Sequence, residues 1–192
     1  MLLAVAACHS WSGANVPGSF AELPWRGTEN DAAVLAARAL VEHGEGKQAL
    51  AMVEAVLQKE PRHVDAQRLR QDVMRERGRR GRLWWEAETA VAKAPDDPEA
   101  LYLLGRVVAD PREKERLFER AATLAPDSIW PWLGLAHTVR SSDPDRSLDI
   151  YRRLYVSSEA HPLVGVAFDT NRTAKRALPV YSIGYNGAIV EQ

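Results

Sequence analysis

Residues Pro95–Gly105, PDDPEALYLLG, open a helix and show what that helix must pack against. Asp97 before Pro98 is a helix start. The carboxylate can accept from first-turn N–H groups, and proline at the first helical position gives up only an N–H that has no partner there. Leu101, Leu104 and Gly105 then fall on one apolar face, with a flat spot at the glycine where a second helix can come close. Pro95 also closes a phrase that recurs. Val56, Ala90 and Ala121 stand five positions before Pro61, Pro95 and Pro126, and those prolines are 34 and then 31 residues apart. At that period helical hairpins stack into a solenoid instead of folding around one central core.

Working outward, the same start recurs at Asp110-Pro111 and Asp143-Pro144, and Glu113, three after Asp110, fits a capping box. Ser128 is expected to cap the helix that carries Pro131 in its first turn. Thr28 with Asp31 begins the first helix, whose small-residue face runs from Ala32 to His43. Gly44 and Gly46 break it, and Lys47–Lys59 forms its partner. The second hairpin pairs His63–Arg77 with Arg80–Ala94. Its turn, Arg75–Arg82, carries five arginines in eight residues. Guanidinium forks there suit phosphate or an acidic peptide; a solvated turn with cations near a helix C-terminus accounts for them equally simply. Trp84 and Trp85 point about 100° apart on a helix. They are expected to pack in the core, one on the preceding helix and one on the next repeat.

Two longer patterns tie these pieces together. Leu101, Leu104, Gly105 and Val108 match Trp130, Leu133, Gly134 and His137 in spacing. Ala49, Val53, Val56 and Pro61 share a second pattern with Ala87, Ala90 and Pro95 and with Phe118, Ala121 and Pro126. Over about residues 29–158 the chain resembles the tetratricopeptide repeat family, whose A and B helices carry these patterns. The resemblance implies an all-α helical-hairpin solenoid of about four repeats, with glycines and small residues letting A and B helices approach closely. It also implies a concave face lined by the A helices. This chain departs from the family in two places. Three residues are missing between Pro95 and Pro126, at Asp110-Pro111, which should tighten that hairpin. From Pro126 to Pro162 the spacing grows to 36 and the fourth repeat diverges. His137 takes a large packing position and is expected in or beside the core.

The expected organisation is residues 1–8 as a signal remnant, 9–28 as a Ser-, Gly- and Pro-rich linker, 29–161 as the solenoid, and 162–192 as a cap and tail. The cap is a helix over Leu163–Arg176. The tail is irregular or a hairpin about Asn186-Gly187, flanked by Tyr181 and Ile183 on one side and Ile189 and Val190 on the other. Val5-Ala6-Ala7-Cys8 resembles a bacterial lipobox, which implies acylation of Cys8 and a place on the periplasmic side of the cell envelope. The apolar run before it is short and lacks a basic residue. A cytoplasmic adaptor with an unprocessed N-terminus is the alternative.

The net charge of −1 gives no electrostatic case for nucleic acid. The five histidines, His9, His43, His63, His137 and His161, have no spacing that sets two on one helix face, so no metal site is expected. No cofactor motif is present, and Ser157, Ser158, Glu159 and His161 fall in a polar connection, so no enzyme is expected. What remains is the groove. The resemblance places Val34, Arg38, Arg68, Asp72, Arg75, Tyr102, Arg106, Pro131, Leu135 and Thr138 on the concave face. Arg38, Arg68, Arg75, Tyr102, Arg106 and Leu135 are the expected contacts of a protein or peptide partner. The arginines suit an acidic segment or a C-terminal carboxylate, and Asp31, Asp65, Asp72 and Glu99 stand close enough to neutralise them internally. The lysines and asparagines of the family's carboxylate-clamp subgroup are absent. The expected function is a non-catalytic envelope scaffold, with a cytoplasmic adaptor, or anion or nucleic-acid binding through residues 75–82, as alternatives.

Overall fold

The computed structural model describes residues 28–157, 181–183 and 189–191. Among the described residues eight helices form four consecutive hairpins: α1 (Glu29–Glu42) with α2 (Gly46–Lys59), α3 (Val64–Glu76) with α4 (Arg80–Lys93), α5 (Pro98–Gly105) with α6 (Pro111–Leu124), and α7 (Ile129–Val139) with α8 (Pro144–Ser157). The chain is thus an all-α helical-hairpin solenoid over this region. Two short strands, β1 (Tyr181–Ile183) and β2 (Ile189–Glu191), pair antiparallel with Ser182 opposite Val190. The expected cap over Leu163–Arg176, the Cys8 segment and the linker before Thr28 lie outside the described residues.

Local chemistry sets the helix starts. At α1 the Asp31 N–H donates to Thr28 Oγ1 at 3.1 Å and the Thr28 N–H donates to Asp31 Oδ2 at 2.8 Å, a reciprocal capping box. Asp97 accepts from the Glu99 N–H, Asp110 from the Arg112 N–H and Asp143 from the Arg146 N–H, each just before a helix whose first residue is proline. Two expected caps differ. Ser128 holds the cap position of α7 without a side-chain hydrogen bond. Glu113 pairs with Arg116 instead of closing a capping box. His63 was not expected to cap: its Nδ1 accepts from the Ala66 N–H at 3.3 Å while Nε2 meets Asp31 Oδ1 at 3.1 Å, tying the start of α3 to the start of α1.

The ends of α1 and α3 share one device. Gly44 and Gly78 adopt left-handed backbone, φ +78° and +73°, and the next residue reaches back, Glu45 N–H to Leu40 O and Arg79 N–H to Met74 O. These are Schellman closures, in which glycine takes the one conformation a Cβ disfavours. Gly46 does not break a helix; it is the first residue of α2. The turn of the second hairpin shrinks to residues 77–79, with Arg75 inside α3 and Arg80 and Arg82 inside α4.

α5 has no such terminator. It has 8 residues against the 13 of α3 and stops at Gly105, with the Val107 and Val108 N–H groups both directed at Leu104 O. The three missing residues are therefore lost from the helix, and the turn that follows is longer rather than tighter.

Packing follows the family's expectation most closely at Phe118. A Cβ on Gly105 would lie 2.6 Å from the Phe118 ring and one on Gly134 2.8 Å from it, so a single ring of α6 fills a notch made by both A helices. The fourth hairpin closes regularly: Ser147, Tyr151 and Leu154 are each at most 1% exposed, and the Ser147 hydroxyl donates to Ala136 O at 2.7 Å. The core is in two parts. One joins α1, α2 and α3 about Val53 and Leu69; the other joins α4 to α8 about Leu101, Phe118 and Leu135.

Between them α4 is lightly held, fully burying only Leu83 and Ala87. Trp84 and Trp85 are 46% and 64% exposed, which overturns the expectation that they pack in the core. Ala90 is exposed too, so it is not a point of close approach. The cause is size. Ala87 stands where the third hairpin has Phe118, so at that position no large side chain draws α4 down onto α3.

Candidate partner-binding groove

Side chains four and then three apart on a helix form one stripe, and Arg68, Asp72 and Arg75 make such a stripe on α3. Tyr102 and Arg106 continue it from α5, Arg38 from α1, and Leu133, His137 and Thr138 from α7. These residues line one groove of about 650 Å³, with Lys114 and Phe118 of α6 at its floor. Five of the six expected contacts, Arg38, Arg68, Arg75, Tyr102 and Arg106, are brought together here. Leu135 is not: it is 1% exposed and belongs to the core. On α7 the core face is Ile129, Pro131, Trp132, Leu135, Ala136 and Val139, so of the expected Pro131, Leu135 and Thr138 the groove keeps Thr138 and takes Leu133 and His137 instead of the other two.

The arginines are ordered by carboxylates that each serve two of them. Asp65 Oδ1 accepts from Arg38 at 3.2 Å and from Arg68 at 2.7 Å. Asp72 Oδ1 accepts from Arg75 at 3.0 Å and Arg106 at 2.6 Å, while Arg75 also donates to Arg106 O at 3.3 Å. Arg68 lies over the Trp130 ring, 4.1 Å from its centroid, so α3 reaches α7 across the groove by a cation–π contact. The ladder spans the four A helices. Of the other acids expected to neutralise it, Asp31 pairs with His63, and Glu99 with Arg62 and Gln67, away from the groove arginines.

Two donors of this ladder are buried without an acceptor: Arg68 Nε and Arg106 Nη1. An N–H taken from water without a replacement partner is costly, on the order of 1–3 kcal/mol. Lys114 of α6 has no acidic partner among the described residues. Burial and then the nearby Arg75 push its ammonium below the usual lysine range. His137, expected in or beside the core, shows more than a third of its surface to the groove. Its concave setting, then Arg140 and Lys114, lower its pKa and hold it neutral. Neither Lys114 nor His137 carried a signal of this role in the sequence. Only the helix register and the early end of α5 bring them to the same place.

Elsewhere, Arg62 spans the second and third hairpins, meeting Asp97 Oδ1 at 3.0 Å and Glu99 Oε2 at 3.1 Å, and Arg146 of α8 meets Glu115 and Glu119 of α6. Arg82 of the arginine-rich turn is engaged by Glu86, as is Arg70. Among the described residues no group of three or more His, Cys, Asp or Glu side chains is placed to hold a metal ion, and no helix is long and apolar enough to cross a membrane.

Residues 34–79 match the family model described as tetratricopeptide repeat. Among solved structures, the Cut9–Hcn1 hetero-tetramer of APC/C is similar with a TM-score of 0.60 and 18% identity, covering 77% of this chain and 29% of that one. This chain therefore spans under a third of that relative's length. TTC0263, a thermophilic TPR protein in Thermus thermophilus, is similar with a TM-score of 0.53 and 14% identity, covering 76% of this chain and 82% of that one. Both likenesses concern the fold. No curated protein matches the chain.

Proposed function

We propose, starting from a chain that belongs to the tetratricopeptide-repeat family, that it is a non-catalytic scaffold holding a segment of a partner protein along the groove of α1, α3, α5 and α7. The observation that carries this reading is the ladder of Arg38, Arg68, Arg75 and Arg106. These side chains are fixed before any ligand arrives, by shared carboxylates and by Trp130. Long cationic side chains held so have already lost the rotamer freedom that binding would otherwise remove. Protein–protein scaffolding is the role the fold supports. The groove supplies the face, and its cations favour an acidic segment.

The test is position-specific photo-crosslinking in cells. A photoreactive residue at Thr138, on the groove wall, should capture a partner, and one at Arg116, exposed on α6, should not. Capture from Arg116 alone would overturn the assignment of the groove.

Val5-Ala6-Ala7-Cys8 favours a second element of the reading, tethering to a membrane through an acylated Cys8 in a bacterial envelope. Intact mass of the cellular protein tests it. A polypeptide beginning at Cys8 with acyl additions is expected, and an unmodified Met1 would leave the untethered adaptor.

A further inference from the structure

We infer that the corner between α3 and α4, from Arg77 to Trp85, is a second docking surface, one that lays the start of α4 on an anionic phospholipid membrane. It shares only Arg80 and Leu83 with the lining of the partner groove and does not depend on that assignment.

The stretch reads RGRRGRLWW and holds four arginines and no acid. All four arginines are exposed, as are both tryptophans. Arg82 is engaged by Glu86, but Arg77, Arg79 and Arg80 form no ion pair among the described residues. Arg77, Arg79 and Arg82 also line a cleft of about 190 Å³ with Arg70, Leu50 and Met74, where the one lining acid is Glu54. Cations thus converge on a space open to a headgroup phosphate, which guanidinium forks hold bidentately. The chain as a whole carries only −1. Exposed charges are screened over about 8 Å at physiological ionic strength, so an approaching surface meets the corner and not the net charge.

The tryptophans choose among anionic surfaces. Successive helix positions diverge by about 100°, so Trp84 and Trp85 leave α4 in different directions. One pocket of a partner protein takes one of them. Neighbouring bases of a nucleic-acid strand lie parallel and are not both reached by rings so divergent. A bilayer interface is continuous and takes both. The arc between the two rings lies against it, with Arg80 on one flank and Arg82 on the other. Gly81 and Ala92 fall inside that arc, exposed and too small to hold the rings away. Indole has an apolar body and one N–H, which suits the boundary between headgroups and acyl chains. Because Cα–Cβ bonds tilt toward the helix N-terminus, both rings lean toward the arginines. Glu88, four after Trp84 and three after Trp85, is the one acid in the arc and opposes docking. Removing it should therefore strengthen binding.

The test is co-sedimentation of the full chain with vesicles, in a Cys8→Ser background so that no acyl group contributes. Vesicles of phosphatidylcholine alone are compared with vesicles of equal parts phosphatidylcholine and phosphatidylglycerol. The protein should prefer the anionic vesicles by at least about tenfold, since each arginine near such a surface adds a factor of about five. Arg77→Gln with Arg79→Gln should remove most of that preference and leave binding to neutral vesicles unchanged. Trp84→Ala with Trp85→Ala should weaken binding to anionic vesicles by at least about tenfold, with urea unfolding confirming that the fold is kept. Glu88→Gln, at an exposed site, should tighten it. Equal binding of the parent to the two kinds of vesicle overturns the membrane surface. So does a folded tryptophan variant that binds like the parent, or a Glu88→Gln protein with unchanged binding, which decides the matter even where a double variant loses its fold. A labelled single-stranded oligonucleotide that displaces the vesicles, and whose own binding is lost with Arg77 and Arg79, would reassign the corner to nucleic acid. The groove assignment stands or falls separately, on crosslinking from Thr138.

Discussion

Gly134→Ala should destabilise this protein, and the same substitution should stabilise it once Phe118 is replaced by leucine. Gly134 lies inside α7, where alanine is favoured over glycine by about 1 kcal/mol from backbone entropy alone. Against that stands Phe118. A Cβ at position 134 would sit 2.8 Å from Cε1 and 2.9 Å from both Cδ1 and Cζ of the ring, where ordinary carbon contacts lie at about 3.5–4.0 Å. The same ring edge also abuts Gly105, whose Cβ would fall 2.6 Å from Cε1. The ring therefore cannot slide from one glycine toward the other. It must back out of the notch, opening a gap beside α5, and such overpacking costs about 1–3 kcal/mol. The net expectation is a loss of about 1 kcal/mol, with about 2 as the upper end. Leucine at 118 removes the ring edge that the new methyl would strike, so the helix-propensity gain should show through and the sign should invert. Urea unfolding of the four proteins of this double-mutant cycle, compared at unchanged m-values, measures a coupling of about 2 kcal/mol. A Gly134→Ala protein that is more stable than its parent by the full propensity gain would refute the notch.

Asp72→Asn removes the one anion shared by Arg75 and Arg106. The buried-pair figure of about 3–5 kcal/mol is reduced toward about 2–3 because Arg75 is a third exposed, and urea unfolding measures it. Trp84→Ala and Trp85→Ala should each stay within about 0.5 kcal/mol of the parent. Trp132→Ala, at a side chain that is 5% exposed and donates to Pro126 O, should cost about 3–5 kcal/mol in the same assay. Glu86 links α4 to Arg70 of α3. Its burial alone would raise its pKa, but the bonds from Arg70 and Arg82 outweigh that and hold it below the usual carboxylate range. A lowered folded-state value means the contribution is present above the unfolded pKa and is lost as pH falls through the folded one. Hydrogen exchange should therefore find α4 the least protected helix, more so in acid, and Glu86→Gln should remove that acid dependence.

What the sequence reveals of this fold is what is local or dominated by one large side chain. Asp97-Pro98 and Thr28 with Asp31 announce helix starts because the capping groups are within three residues of the N–H groups they satisfy. Gly105 and Gly134 announce close approach because nothing else explains a glycine in a helical apolar stripe, and Phe118 supplies the ring to fill them. The failures are of another kind. The end of α5 has no glycine to mark it, so the missing residues read as a short turn. Trp84 and Trp85 read as core because large apolar residues usually are; their exposure depends on how close α4 comes to α3, which Ala87 and Ala90 are too small to enforce. Ser147 hid the fourth hairpin's close contact, being polar at the position where the first repeat has Ala49. The groove arginines were legible as a set. Their sharing of carboxylates was not, because which oxygen serves which guanidinium depends on the stacking of α1 on α3 and of α3 on α5.

That sharing changes what the groove can do. If each arginine had its own carboxylate, the concave face would be a closed lattice of ion pairs in which a ligand could only displace an internal partner, at the cost of the pair it broke. With Asp65 and Asp72 each spread over two guanidiniums, the side chains are held in place and yet part of their charge is unspent. A ligand carboxylate then adds to the network instead of competing with it, and few groups must be immobilised when it arrives. Two consequences separate this arrangement from a merely basic surface. Binding should depend on salt less steeply than the number of cations in the groove implies, since most of them are already paired. Discrimination between acidic and neutral segments should reside where groove cations have no carboxylate of their own among the described residues, at Lys114 and Arg80, and not be spread evenly along the ladder.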